Sequence, residues 1–334
     1  MQHVRGRLIV TVAGFGALLG VALVAAPLLG STAISLSRVF DRSIPFADNA
    51  DAQIFFVARL PRVLAAALVG GSLAMAGAVF QALLRNPLAS PDTLGVSSGA
   101  ALGAMLAIAF HFDFAIGGFS SVSLSSFAGS LGALAIVYML ATARRRGLST
   151  TVLLLAGVTM TAFFSALILF VQYLTDFTDT FRTVRWLMGM LDVGSYTPIV
   201  GALPLIALAF GMVATLPRPL DLISLGADAA ATRGVDVQRA ERLALVSASL
   251  ATGAAVSISG PIAFVGLVVP HIVRLVVGSD HRLVLPASAL FGASFLIACD
   301  LIARTLFAPV ELPVGIVTAI IGGPFFLWLL VRRT

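Results

Sequence analysis

Ten long apolar runs, cut off by arginines, prolines or glycines, make up most of the chain. They fall roughly at 8–29, 54–84, 93–110, 123–143, 150–174, 195–216, 240–258, 260–277, 283–307 and 313–331. A helix needs about 20 apolar residues to cross a bilayer, so the pattern predicts about ten transmembrane helices. The third and eighth runs are short and bounded by Pro or Gly. Broken backbone at membrane depth survives only where protein covers it or a cavity solvates it, so these two segments predict a transport path. No polar stretch is large enough to fold alone, and 1–334 reads as one all-α polytopic membrane domain.

The stretch from Arg59 to Gly99 is the most telling. It opens on Arg59-Leu60-Pro61-Arg62 and runs through apolar Val63 to Leu84. It closes on Arg85-Asn86-Pro87-Leu88-Ala89-Ser90-Pro91-Asp92-Thr93-Leu94-Gly95. A second broken segment runs from Gly260-Pro261 to Pro270-His271, and Pro270 is expected to kink or end its helix. Ser72-Leu73-Ala74 precedes the first break and Ser249-Leu250-Ala251 the second. With ten spans the two helices run in opposite directions, the pattern of a weak inverted repeat. Chance recurrence in Ala- and Leu-rich helices is the other reading.

Composition agrees with the periodicity. Of 334 residues, 59% are hydrophobic and 11% charged, against about 25% charged in a soluble domain. Ile9 to Leu29 exceeds the roughly 7–15 residues of a signal-peptide apolar core, so it is expected to stay as a span. The 21 basic residues are all arginines. A Walker A loop needs a lysine on the β- and γ-phosphates, so this chain is no P-loop ATPase and is not expected to be an enzyme. One cysteine, Cys299, excludes an internal disulfide and a cysteine-based metal cluster, and it reads as a packing residue. The net charge of +6 forms no stripe, which argues against nucleic acid. With the N-terminus inside, 14 arginines fall on the cytoplasmic side and 7 outside, so both termini are expected in the cytoplasm.

Three sets of polar residues stand out. Between the sixth and seventh runs, Gly226 and Gly234 punctuate an Ala-rich segment at 224–235, with Ser224 or Asp228 available as a cap. It reads either as an ordinary loop or as a helix fitting a partner's groove. His271, Arg274 and Asp280-His281-Arg282 follow the second break. No second ligand sits at metal spacing from His271, so a polar surface contact is expected there rather than a metal. Arg59, Arg62 and Arg304 break the inward trend; Asp300 lies one turn from Arg304 as a possible salt-bridge partner, and all three arginines suit an acidic docking partner.

Taken together these motifs resemble the FecCD family, the permease subunits of ABC importers for ferric siderophores, heme and vitamin B12. The resemblance rests on Arg59-Leu-Pro-Arg62, Asn86-Pro-Leu-Ala, Leu94-Gly95-Val96-Ser97-Ser98-Gly99 and Gly266-Leu-Val-Val-Pro-His271-Ile-Val-Arg274. Asp280-His281-Arg282, Glu311-Leu312-Pro313-Val314-Gly315 and Gly322-Gly323-Pro324-Phe325-Phe326 complete it, in family order. It implies ten helices per subunit, a homodimer around the pathway, two ATPase subunits carrying ATP and Mg, and a soluble substrate-binding protein. The permease itself is expected to bind no cofactor and no metal, and to sit in the lipid of a bacterial cytoplasmic (inner) membrane. The resemblance assigns Arg59, Arg62 and Arg304 to docking of the binding protein. It assigns the segment with Ser224, Leu225, Gly226, Ala227, Ala230, Arg233 and Gly234 to ATPase coupling, with His271 and Arg274 beside it. Met190 stands where the family pattern has Ser.

The expected function is import of a bulky metal chelate by alternating access, a ferric siderophore first, then cobalamin, then heme. Met160, Thr161 and Phe164 in the fifth run are expected to line the pathway, with Tyr173, Arg182 and Arg185 in the loop beyond. An ion-coupled secondary transporter is the alternative. It needs ionisable groups within its spans, and the first and fifth runs carry none in their middle.

Overall fold

The computed structural model describes residues 2–143 and 149–332. Arg144, Arg145, Arg146 and Arg333, counted above as inward charges, lie outside the described residues, as do the side chains of Arg5 and Arg332. Every expected run is helical. α1 spans Gln2–Leu28, α2 Leu60–Leu83, α3 Val96–Ala109, α4 Ser121–Thr142 and α5 Thr150–Leu174. α6, Phe177–Leu187, is amphipathic; α7 spans Thr197–Val213, α8 Pro217–Ser224 and α9 Ala227–Ala231. α10 spans Val237–Ser259, α11 Val265–Val277, α12 His281–Thr305 and α13 Val314–Arg332. Between α3 and α4 sits a small hairpin, β1 Ala115–Ile116 paired with β2 Phe119–Ser120.

Six of these helices are long and apolar enough to cross a bilayer alone, and α7 with α8 forms a seventh candidate bent by 56°. α3, α11 and α13 are apolar but shorter. The 14 residues of α3 rise only about 21 Å, short of a hydrocarbon core of about 30 Å. Such a helix spans only with the broken segment that leads into it.

α2 is the axis of the packing. A helical turn at Ala50–Gln53 and a π-helical turn at Ile54–Arg59 run straight into it, and 83% of its most apolar stretch is buried. A helix that is apolar all round belongs inside a bundle. α12, α10 and α11 pack along it. Between membrane helices, small residues permit the backbone contact that drives association. A Cβ added at Gly70 would lie 2.3 Å from the Gly292 carbonyl oxygen, and one at Gly77 would lie 1.8 Å from that of Gly266. α2 therefore touches α12 and α11 backbone to backbone.

Both breaks are covered by protein, as their depth requires. At the first, Gly95 adopts φ +74 between a turn at Pro91–Leu94 and α3. α5 closes over it at Gly157, where an added Cβ would meet the Thr93 carbonyl oxygen at 2.3 Å. At the second, Gly260 and Phe264 both have φ +68. The Met190 N–H donates to the Ser259 carbonyl (2.8 Å) and the Gly315 N–H to the Gly189 carbonyl (3.2 Å), so three chain segments meet there. Pro270 does not end its helix; α11 continues through it to Val277. The long-helix, break, short-helix succession thus occurs twice, with Ser72 and Ser249 each fully buried on the long member.

Candidate functional site

At the end of the bundle where α1 finishes, five charged side chains gather. Asp300 is completely buried and takes two arginines. Arg62 Nε donates to its Oδ1 at 2.7 Å, and Arg304 Nε lies 3.0 Å from its Oδ2 in an ion pair poorly angled for a hydrogen bond. Arg62 Nη1 also donates to Glu311 Oε2 at 2.5 Å. The ion pair within α12 is thus present, and sequence spacing revealed neither the link across to Arg62 nor the part of Glu311.

Arg59 and Arg304, both expected to meet a docking partner, are only 6% and 5% exposed. Both hold the end of α1. The last carbonyls of a helix lack partners within it. Arg59 donates to the carbonyls of Pro27 (3.1 Å), Leu28 (3.2 Å) and Thr32; Arg304 donates to those of Ala26 (3.2 Å) and Leu29 (3.4 Å). Two cations at a helix C-terminus also favour its dipole. An added Cβ on Gly30 would lie 2.6 Å from the Arg59 guanidinium, so glycine there leaves it room. Of the three arginines, Arg62 comes nearest the surface.

At another place in the fold, α8 and α9 form the candidate coupling segment. Gly226 (φ +127) and Gly234 (φ +80) bracket α9, so the helix expected there forms. Its cap differs from expectation. Ser224 ends α8 and donates to the Asp221 carbonyl, and neither it nor Asp228 caps α9. Ala230 is fully buried against Ile223 and Ala240, which turns it away from any partner. Ser224, Leu225, Asp228, Thr232, Arg233 and Gly234 are exposed, and Gly226 and Ala227 half-buried. Leu225, at 67% exposure, is the large apolar side chain on this surface.

One unforeseen tie holds this segment. Asp221 of α8 accepts from the His281 backbone N–H (2.9 Å) and contacts its Nδ1 at 2.6 Å, which fastens α8 to the start of α12. Beside it, burial works against the Asp280 carboxylate. The Arg282 side chain and backbone N–H outweigh it and hold that carboxyl below its usual range. His271 is buried on α11 rather than exposed for contact, and Arg274 is half-buried.

On α5 the expected pathway residues divide. Thr161 is half-buried and lines a cavity of about 410 Å³ with Asp92, Ser97, Ser98, Ser165 and Gln172. Met160 packs beside Gly95. Phe164 points inward at 7% exposure; its neighbour Phe163, at 54%, faces out. Arg182 and Arg185 line a second cavity of about 400 Å³ with Trp186, Met190 and Asp192. Arg182 lies 3.6 Å from Asp179, and Tyr173 is wide open. Among the described residues no three His, Cys, Asp or Glu side chains gather as a metal site.

Comparison with known proteins places this arrangement. The model of the FecCD transport family matches residues 18–332. The cobalamin import permease BtuC of Halobacterium salinarum is 45% identical over 82% of this chain and 72% of its own. The hemin transport permease HmuU of Yersinia pestis is 38% identical over 91% and 90%, and the Fe(3+) dicitrate permease FecD of Escherichia coli 40% over 82% and 84%. A solved inward-facing structure of a metal-chelate type ABC transporter superposes with TM-score 0.84 at 33% identity, covering 96% of this chain and 98% of its own.

Proposed function

The chain belongs to the FecCD transport family and is a multi-pass ABC importer permease, and from that premise we propose that it carries a bulky metal chelate into the cytoplasm. The observation that carries this reading is the near full-length match to permeases for hemin, cobalamin and ferric dicitrate. A ferric siderophore is the first candidate, cobalamin the second and heme the third. Two copies form the pathway in the inner membrane, with termini in the cytoplasm. Two ATPase subunits supply ATP and Mg, and a soluble binding protein delivers cargo outside. Reconstituted importer should accumulate one radiolabelled chelate of these three classes in proteoliposomes, dependent on internal ATP. Failure with all three, in vesicles that hydrolyse ATP, would count against the reading.

Coupling runs through α8 and α9. Leu225 is the large exposed apolar side chain of this segment, and placing a charge in the contact it would make is expected to cost about 2 kcal/mol, roughly thirtyfold in affinity. Leu225→Asp is therefore expected to weaken ATPase association by about that factor while the permease stays folded. A bulky residue at Ala230 should instead disrupt the segment itself, because Ala230 is fully buried. Co-purification and melting curves separate the two results. A Leu225→Asp permease that retains the ATPase at wild-type affinity would overturn this role.

Docking of the binding protein centres on Arg62, with Arg59 and Arg304 behind it shaping the end of α1. Losing one member of a partly desolvated charge pair costs about 2–5 kcal/mol. Arg62→Gln is expected to weaken docking at least tenfold at low salt, more than Arg59→Gln or Arg304→Gln. Titration of the binding protein onto reconstituted importer reads the difference. Equal affinity for Arg62→Gln and wild type would remove Arg62 from the docking surface.

A further inference from the structure

Arg62 holds two carboxylates of unequal standing. Asp300 is fully buried within α12 and cannot leave. Glu311 is 44% exposed and sits in the 306–313 loop, tied back to α12 by the Leu312 N–H donating to the Ala303 carbonyl at 3.0 Å. Arg62 itself is 13% exposed. A carboxylate arriving from solution therefore meets Glu311 on the arginine it would bind. The guanidinium carries five donors suited to carboxylates, and Asp300 and Glu311 occupy one nitrogen each, Nε and Nη1.

We propose that Glu311 is a stand-in for the docking partner's carboxylate: it holds Arg62 in place in the free permease and gives way when an acidic partner arrives. The inference rests on the docking role of Arg62 proposed above. A buried anchor and an exchangeable outer ligand serve different ends. Asp300 keeps the guanidinium oriented at all times. Glu311 satisfies it while the partner is absent and competes with the partner for it. Arg59, Arg62 and Arg304 against Asp300 and Glu311 leave the cluster with one positive charge in excess. Neutralising Glu311 leaves two, and the gain is felt by anything acidic that approaches.

The test uses the full importer with its ATPase subunits in nanodiscs. Two probes are timed at low and high salt: its soluble binding protein, and hexaglutamate with hexaglutamine as blank. Glu311→Gln is expected to dock about two- to fivefold faster and tighter at low salt, the range of an exposed ion pair, with the gain shrinking at high salt. Glu311→Asp, which keeps the charge, should stay close to wild type. Glu311→Cys gives a version made on the folded protein, since Cys299 is buried. There a neutral thiol adduct should dock faster than a sulfonate adduct. Unchanged or slower docking of Glu311→Gln, or equal rates for the two adducts, overturns the stand-in. If Arg62→Gln also docks like wild type, the docking reading itself has failed. If Arg62→Gln loses docking while Glu311→Gln gains nothing, only the stand-in falls, and Glu311 merely props the arginine.

Discussion

Asp300→Ala is expected to lower the stability of the purified permease by about 3–5 kcal/mol, the cost of stripping one member from a buried ion pair. The carboxylate is completely buried between Arg62 and Arg304, which are 13% and 5% exposed. Its removal leaves Arg304 facing Arg62 with no charge between them. Arg304 also holds the Ala26 and Leu29 carbonyls, so its displacement should loosen the end of α1 as well. Asp300→Asn keeps the shape and loses the charge, and it should fall between alanine and wild type. Equilibrium unfolding in mixed detergent measures the loss, and protease cutting near residue 30 reports the freed helix end. A loss under about 1 kcal/mol for alanine would show that water reaches the cluster and pays the arginines' solvation.

Gly77→Val is the second large effect, and here no folded permease is expected. The first added carbon would sit 1.8 Å from the Gly266 carbonyl oxygen, and backbone cannot yield as a side-chain tip can. α2 and α11 would have to part along their length, with α12 held to the same axis at Gly70 and Gly292. The cost should exceed about 4 kcal/mol, the range reserved for severe overpacking or strain. Gly132→Ala on α4 meets open space and should be neutral or slightly stabilising, because glycine is the poorer residue inside a helix. Accumulation in membranes and monodispersity after extraction distinguish the two. Normal yield of Gly77→Val would mean that the helices do not cross there.

The apolar runs made the ten helical segments legible, and the Pro- and Gly-bounded ones marked both breaks. The faces of the helices were harder to read. In a membrane, lipid and protein interior both favour apolar side chains, so hydrophobicity does not separate Phe164, turned inward, from Phe163, turned outward. Motif residues marked the candidate sites along the chain without revealing their surroundings. Arg62 meets Asp300 across 238 residues, and Asp221 meets His281 across 60, separations that no local spacing rule reaches. Arg59 looked like a surface charge because its partners are backbone carbonyls, which the sequence does not distinguish from any others.

The way α1 is fastened bears on how the chain is made. No residue of its most apolar stretch is fully buried by the rest of the protein, though Phe15, Leu19 and Leu23 pack against the core. Its anchors are Arg7 donating to the Val277 carbonyl at one end, Phe15 against the Phe291 ring in the middle, and Arg59 and Arg304 on its last carbonyls. Apart from Arg59, every one of those contacts is with α11 or α12, at sequence separations of 270 to 278 residues. At roughly 5–20 residues per second, the first helix waits on the order of ten seconds or more in the lipid before its neighbours emerge. During that interval Arg59 is the one of these anchors already made, and the Ala26 and Leu29 carbonyls still await Arg304. A chain that stalls before α12 therefore leaves its earliest helix held by Arg59 alone among these side chains, so an error near the end of the protein is felt at its beginning.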